Sequence, residues 1–187
     1  MPTTADIKNG MTIKFNDQLF TIVEFQHVKP GKGGAFVRTK LKNVITGRVL
    51  ENTFRSGEKI DPVRLEDKSM QYLYIEGCDY VFMDQETYEQ INVPADVVGD
   101  AKNYMKEGDA VTVQFYETTP LSVQVPFFLE FEIIKCEPGM KGDTVSNVTK
   151  AATLETGAVI QVPLFVEQGE WIRVDTRTGS YIERVKR

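Results

Sequence analysis

The sequence predicts an all-β protein made of small barrels, and three observations support this class. Short segments in which apolar and polar residues alternate recur along the whole chain, with turn residues between them. Such even spacing of short strands is typical of small barrels. Only residues 95–105 have a helical pattern, which Pro94 precedes and Gly108 follows. Asp96 or Asp100 is the expected N-cap of this single helix.

The strand pattern covers thirteen segments, each four to nine residues long. They are rich in β-branched and aromatic residues and are bounded by Gly, Pro, Asn or Asp. In chain order, the predicted strands are 12–15, 20–28, 36–41, 49–54, 70–76, 80–83, 89–93, 110–116, 121–125, 129–136, 159–163, 171–175 and 181–185.

Charge and proline content divide the chain into three parts. Residues 1–64 carry 11 Lys+Arg and 6 Asp+Glu, residues 65–128 carry 3 and 12, and residues 129–187 carry 8 and 9. The charge balance changes from basic to acidic near residues 60–64, and Pro126 interrupts an apolar run just before the third part. We therefore predict domains at 1–64, 65–128 and 129–187. Units of about 60 residues bury too little surface to be stable alone, so we expect them to pack on one another.

Residues 29–35, Lys-Pro-Gly-Lys-Gly-Gly-Ala, connect two predicted strands and form the tip of a hairpin. Residues 25–50 contain six basic residues and no acid, although the chain as a whole has a net charge of −5. A local basic region of this kind favours contact with a polyanion. A hairpin of roughly eight residues, at about 3.3 Å per residue, would hold Lys32 on the order of 25 Å from its barrel. The alternative is an ordinary solvated turn.

The sequence does not predict an enzyme. Its one histidine, His27, lies in a hairpin strand and cannot form a two-histidine metal site. The tip does not match a phosphate-binding loop, because Gly33 follows Lys32 where Ser or Thr is required. Neither the GxSxG nor the HExxH pattern is present. We therefore expect no catalytic residue, no metal and no bound cofactor.

Cys78 and Cys136 lie 58 positions apart without a CxxC pair, which predicts neither a zinc site nor a disulfide framework. We expect both thiols, and Trp171, to be buried. No run approaches the roughly 18 apolar residues of a membrane span, and the N-terminus lacks the apolar segment of a secretory signal. These features predict a cytoplasmic protein without membrane contact.

Several motifs along the chain occur together. They are Lys29-Pro30-Gly31-Lys32-Gly33 with Ala35-Phe36 at the tip, TFRSGEK at 53–59, MQYLY at 70–74, VFMD at 81–84, GDT at 142–144, KAA at 150–152 with Gly157, Val162-Pro163 and Gly169, and GSY at 179–181. In this combination the chain resembles the bacterial elongation factor P family over its full length. The resemblance implies an N-terminal SH3-like, KOW-type barrel and two OB-fold barrels in an L-shaped, tRNA-like arrangement. Relatives that carry hypusine have two domains, so a third barrel favours the bacterial branch.

The resemblance also implies a function. A member of this family would bind the ribosome between the P and E sites as a monomer. It would stimulate peptide bond formation at polyproline stalls by stabilising the P-site peptidyl-tRNA. Lys32 would receive a covalent extension from a lysine-modifying enzyme; β-lysylation, an aminopentanol-type group and no modification all remain open. A generic single-stranded RNA-binding protein built on OB folds and a scaffold that binds no RNA are the alternatives.

The predicted site has two parts. In the tip, Pro30 stiffens the loop, and Gly31 and Gly33 permit positive φ and close approach to RNA. The remaining tip residues are Lys29 and Gly34, and the cations of the hairpin strand that would contact phosphates are Arg38, Lys40 and Lys42.

By resemblance, Gly142, Asp143 and Thr144 lie on a loop of the third barrel that faces the E-site codon region. Taken without the family, this triplet predicts only a turn. Tyr181 and Arg184 would add stacking and phosphate contacts, although Tyr181 is equally consistent with a core position.

Overall fold

A computed structural model describes residues 2–31, 33–137 and 148–186 of the chain, and in this part the protein is almost entirely β. Fifteen strands lie in three sheets of five. The strands are β1 Thr12–Phe15, β2 Gln18–Val28, β3 Phe36–Asn43, β4 Val49–Arg55, β5 Asp61–Val63, β6 Glu66–Glu76, β7 Asp79–Asp84, β8 Gln90–Pro94, β9 Ala110–Tyr116, β10 Thr119–Gln124, β11 Phe128–Cys136, β12 Thr149–Leu154, β13 Val159–Pro163, β14 Trp171–Asp175 and β15 Ser180–Val185. The strand orders are β4-β3-β2-β1-β5, β10-β9-β6-β7-β8 and β13-β12-β11-β14-β15. The predicted all-β class is confirmed.

All thirteen predicted strands are present, but two further strands were not predicted. β5, Asp61–Val63, falls in the predicted junction at residues 60–64 and contains Pro62, which argues against a strand because it cannot donate a ladder hydrogen bond. It lies at the edge of its sheet, opposite Ile13 in β1, where a missing donor is tolerated. β12 has the sequence TKAATL, whose two alanines give little strand signal.

The predicted helix over 95–105 is wrong in length and in its cap. A single α-helical turn, α1, covers Ala95–Val98, and a 3₁₀ helix covers Gly99–Asn103. The N-cap is Pro94, without a side-chain hydrogen bond, rather than Asp96 or Asp100. Gly99 has φ +57, a conformation that ends an α-helix and that glycine adopts easily.

By compactness the chain falls into two units, Met1–Asp67 with Gln114–Ser122 and Lys68–Val113 with Val123–Arg187. The core of the first contains Ile13, Ile22, Val37, Leu41 and Phe54, and a short 3₁₀ helix, Thr4–Asp6, precedes it. The core cluster in the third sheet, within the second unit, includes Phe131, Ile133, Leu154, Val162 and Ile172. The predicted division into three domains stays a prediction.

The expectation that both cysteines are buried is wrong for Cys78, which is exposed in the turn between β6 and β7. Cys136 is half-buried, with its Sγ 3.6 Å from the carbonyl oxygen of Val166. Trp171 is also half-buried rather than fully buried. In the described ranges, no cluster of three or more metal-ligating side chains occurs. None of the helices in these ranges has the length and apolar character that a bilayer crossing requires.

Candidate nucleic-acid interface

Strand β3 places the three predicted cations of the hairpin strand, Arg38, Lys40 and Lys42, on one side of the first sheet. They are called the shaft cations below. Val37, Thr39, Leu41 and Asn43 are buried, and the residues between them are exposed. Because successive side chains in a strand point to opposite faces, the even spacing of the cations gives them a common face. These exposed residues are Arg38, Lys40 and Lys42. The structure therefore brings together the shaft residues that the sequence predicted.

Lys40 has carboxylates on both neighbouring strands. Its Nζ lies 2.6 Å from Glu24 Oε2 on β2, and Glu51 stands opposite it on β4. The hydrogen bond to Glu24, and then its charge, raise the pKa of Lys40 above the ordinary value. Both acids lie just outside the acid-free window of residues 25–50, so the charge pattern of that window did not reveal them. Arg38 stands opposite Gln26 and Thr53, neither of which is charged.

The paired strands of the hairpin end level with the neighbouring strand β4. β4 pairs with β3 up to Phe36, and Val37, one residue further, belongs to the core. No paired arm of eight residues therefore extends beyond this three-stranded sheet in the part of the chain that the structure describes. Within the connection 29–35, Gly33 uses the positive φ that a glycine permits, +114, whereas Gly31 does not have positive φ. The described tip residues Lys29, Pro30, Gly31, Gly33 and Gly34 are exposed, and Lys32 lies outside the described residues.

In the third sheet, Arg184 is held by an acid and an aromatic ring. Its Nη1 lies 2.8 Å from Glu170 Oε1, and its guanidinium lies over the ring of Phe165, 5.9 Å from the centroid. The pKa of Glu170 is lowered, first by the hydrogen bond that it accepts from the backbone N–H of Glu167 and also by Arg184. Phe165 is 61% exposed, and the sequence did not predict it as a site residue. The only indication in the sequence was an apolar side chain just after the predicted strand 159–163.

Tyr181 is half-buried and packs against the core cluster of the third sheet, which fits the core alternative. The predicted loop residues Gly142, Asp143 and Thr144 lie outside the described residues. The shaft cations belong to the first compact unit, and Tyr181 and Arg184 belong to the second.

Three family models match the chain in consecutive ranges. The elongation factor P KOW-like domain matches residues 3–60, the elongation factor P OB domain matches 65–123, and the elongation factor P C-terminal domain matches 129–184. Together they cover most of the sequence. The KOW-type and OB-fold domains that the resemblance implied are therefore confirmed.

Curated relatives agree with these models. Elongation factor P of Caldanaerobacter subterraneus is 55% identical over 99% of this chain and 100% of its own length. That of Clostridium acetobutylicum is 55% identical over 100% of both chains.

Among solved structures, translation initiation factor 5A from Methanococcus jannaschii matches with a TM-score of 0.50 and 21% identity, covering 66% of this chain and 98% of that one. A Naegleria fowleri eIF-5A family protein matches with a TM-score of 0.53 and 17% identity, covering 66% of this chain and 96% of that one. These two structures show a shared fold alone. From the three family models and the full-length relatives together, the chain belongs to the elongation factor P family.

Proposed function

We propose that this protein is a translation elongation factor that binds the ribosome between the P and E sites. There it stimulates peptide bond formation at polyproline stalls by stabilising the P-site peptidyl-tRNA. The main support, besides membership of the family, is a glycine-flanked tip that continues directly into the exposed cations of β3. Such a row neutralises RNA phosphates without reading sequence and fixes the direction of the tip.

The proposed mechanism is positional. Arg38 and Lys42 bind backbone phosphates along the hairpin, and Lys32 reaches the peptidyl end of the tRNA. Holding two reacting groups in a productive geometry can lower a barrier by on the order of several kcal/mol. Proline is a constrained and poor nucleophile, so a prolyl acceptor gains most from this help. The protein supplies no catalytic group of its own and needs no cofactor in this scheme.

The partners that follow are ribosomal RNA, the P-site peptidyl-tRNA and a lysine-modifying enzyme. A factor with these partners acts in the cytoplasm, and we propose that it acts as a monomer. In the third barrel, the proposed RNA contacts are Gly142, Asp143, Thr144 and Tyr181. Arg184 is also a proposed RNA contact there, but its guanidinium is already paired with Glu170, so a phosphate would have to compete with that carboxylate.

Replacing Lys32 with alanine tests the proposed function. Lys32→Ala should abolish rescue of a reporter that contains three consecutive prolines, because the reaching side chain is lost. The fold should be unaffected, as judged by thermal melting, since β2 ends at Val28 and β3 begins only at Phe36. Lys29→Ala is a matched control that removes a lysine from the same connection and should retain most of the rescue. An unimpaired Lys32→Ala protein would refute the assigned role.

We also propose that Lys32 is modified, because a covalent extension lengthens its reach without moving the backbone. Intact-mass and tip-peptide mass spectrometry of protein purified from its native cell should show added mass on residues 29–35. The unmodified mass alone would contradict this proposal. The tip-peptide mass also distinguishes β-lysylation from an aminopentanol-type group.

Ribosome co-sedimentation separates this function from the generic RNA-binding alternative. A generic OB-fold binder should bind free single-stranded oligonucleotides as strongly as it binds ribosomes. The proposed factor should pellet with ribosomes that carry a peptidyl-tRNA and should resist competition by a decameric oligouridine.

A further inference from the structure

A second loop, residues 55–59, lies at the same end of the first sheet as the tip. Arg55 is the last residue of β4 and stands opposite Phe36, the first residue of β3. The backbone N–H of Ser56 donates to the carbonyl oxygen of Ala35 at 3.0 Å. The loop is therefore attached directly to the residue that ends the tip connection.

The hydroxyl of Thr4, a buried residue of the 3₁₀ helix Thr4–Asp6, holds this loop. Thr4 is 1% exposed, and its Oγ1 donates to the carbonyl oxygen of Arg55 at 3.2 Å. The same Oγ1 accepts from the backbone N–H of Gly57 at 2.8 Å. Thr4 N also donates to the carbonyl oxygen of Glu58 at 2.9 Å, while Glu58 Oε2 accepts from Arg55 N at 2.7 Å. A buried hydroxyl with both of its hydrogen bonds made to one loop fixes the backbone of that loop.

Loop 55–59 carries two cations and one acid, and further exposed cations lie on the tip and on β3. Lys29, Arg38, Arg55 and Lys59 are all exposed, and Glu58 is the one acid within loop 55–59. In the described part of the chain the Arg55 guanidinium forms no ion pair, in contrast to Lys40. The loop has no apolar side chain, because its sequence is Arg-Ser-Gly-Glu-Lys.

We infer that Arg55 binds an RNA phosphate beside the tip and that Thr4 is the positioning residue of its loop. This inference rests on the proposed ribosome binding and adds a contact to the same site. A guanidinium matches the geometry of a phosphate and binds it with two hydrogen bonds. Protein partners favour aromatic and apolar anchors, which this loop lacks, so RNA is the better match.

Arg55→Gln and Arg48→Gln form a matched pair for the test. Each removes one exposed guanidinium, but Arg48 lies in the turn before β4, seven residues from Arg55 and at the other end of the strand. That separation is about 23 Å at about 3.3 Å per residue. Affinity for ribosomes stalled at a proline run is measured over a series of KCl concentrations, with the full chain.

Arg55→Gln should weaken binding about fivefold near 0.1 M salt and reduce the slope of log K against log [salt] by about 1. Arg48→Gln should change neither quantity. Equal losses in the two variants would overturn the inference, since only net charge would then matter. If Arg55→Gln changes the mass of the tip peptide but leaves ribosome affinity intact, the loop contacts the modifying enzyme and the RNA assignment is wrong.

Thr4→Val and Thr4→Ser test the positioning role. Thr4→Val keeps the side-chain volume and removes both hydroxyl hydrogen bonds, so ribosome affinity should fall with no change in charge. Thr4→Ser keeps the hydroxyl and should restore the affinity. Affinity is measured at a temperature where melting curves show every variant to be folded. A Thr4→Val protein that is less stable but binds normally would refute the positioning role. Loss of stall rescue in Lys32→Ala is a separate result, so failure of the proposed function can be distinguished from failure of this contact.

Discussion

Lys40 shows that the availability of a cation for RNA depends on its neighbours across the sheet. Its ammonium group donates to Glu24 at 2.6 Å, and Glu51 stands on the other side. Since the folded-state pKa of Lys40 is raised, the stability that this pair contributes is fully present below the ordinary lysine value of about 10.4 and is lost only as the pH rises above it. At neutral pH the pair is intact, and a phosphate must compete with Glu24 for Lys40.

Glu24→Gln tests this competition. Removing the carboxylate should lower the pKa of Lys40 towards its ordinary value and free its ammonium group for phosphate. Ribosome affinity should rise about fivefold near 0.1 M salt, with a salt slope steeper by about 1. Glu86→Gln, an exposed acid in the turn after β7, gives the same change in net charge and should leave affinity unchanged. Equal gains in the two variants would show that Lys40 makes no specific contact.

At the scale of the elements, the strands were predictable and the helix was not. The burial of β3 alternates residue by residue, as the period-2 pattern required. The helix prediction over 95–105 gave too little weight to Gly99, whose left-handed conformation ends α1 after four residues. β12 was missed because a strand covered by neighbouring strands on both sides needs less intrinsic propensity than its alanines suggest.

At the scale of the molecule, each compact unit has its own long-range contacts. In the second unit, residues 99–106 lie against the third sheet. Tyr104 packs against its core, and the carbonyl oxygen of Asn103 accepts from Thr156 Oγ1 at 2.7 Å. Lys106 Nζ lies 3.0 Å from Glu155 Oε1. These contacts join the segment before β9 to the turn between β12 and β13, so we expect this unit to unfold cooperatively.

Gly179 gives a test of this packing. It has φ +66, and a Cβ atom there would lie 2.8 Å from the hydroxyl oxygen of Tyr104. Gly169 has φ +85 with open space around it, so Gly169→Ala reports backbone strain alone. Gly179→Ala should lose about 1–3 kcal/mol more of the free energy of unfolding than Gly169→Ala, because the Tyr104 ring must move. Denaturant melts measure both variants.

Adding Tyr104→Phe should return much of the extra loss, since it removes the crowded oxygen atom. Equal destabilisation by the two glycine variants would show that Tyr104 does not constrain Gly179.

The sequence by itself determined the fold class, most of the strands and which cations lie on the hairpin strand. It also determined the family, because motifs and period-2 alternation are local properties of the chain. Only the tertiary structure decided that Glu24 neutralises Lys40, that Thr4 holds the loop beside the tip and that Gly179 accommodates Tyr104. These pairs lie 16 to 75 positions apart, and strand register and packing between elements, rather than local pattern, bring them together.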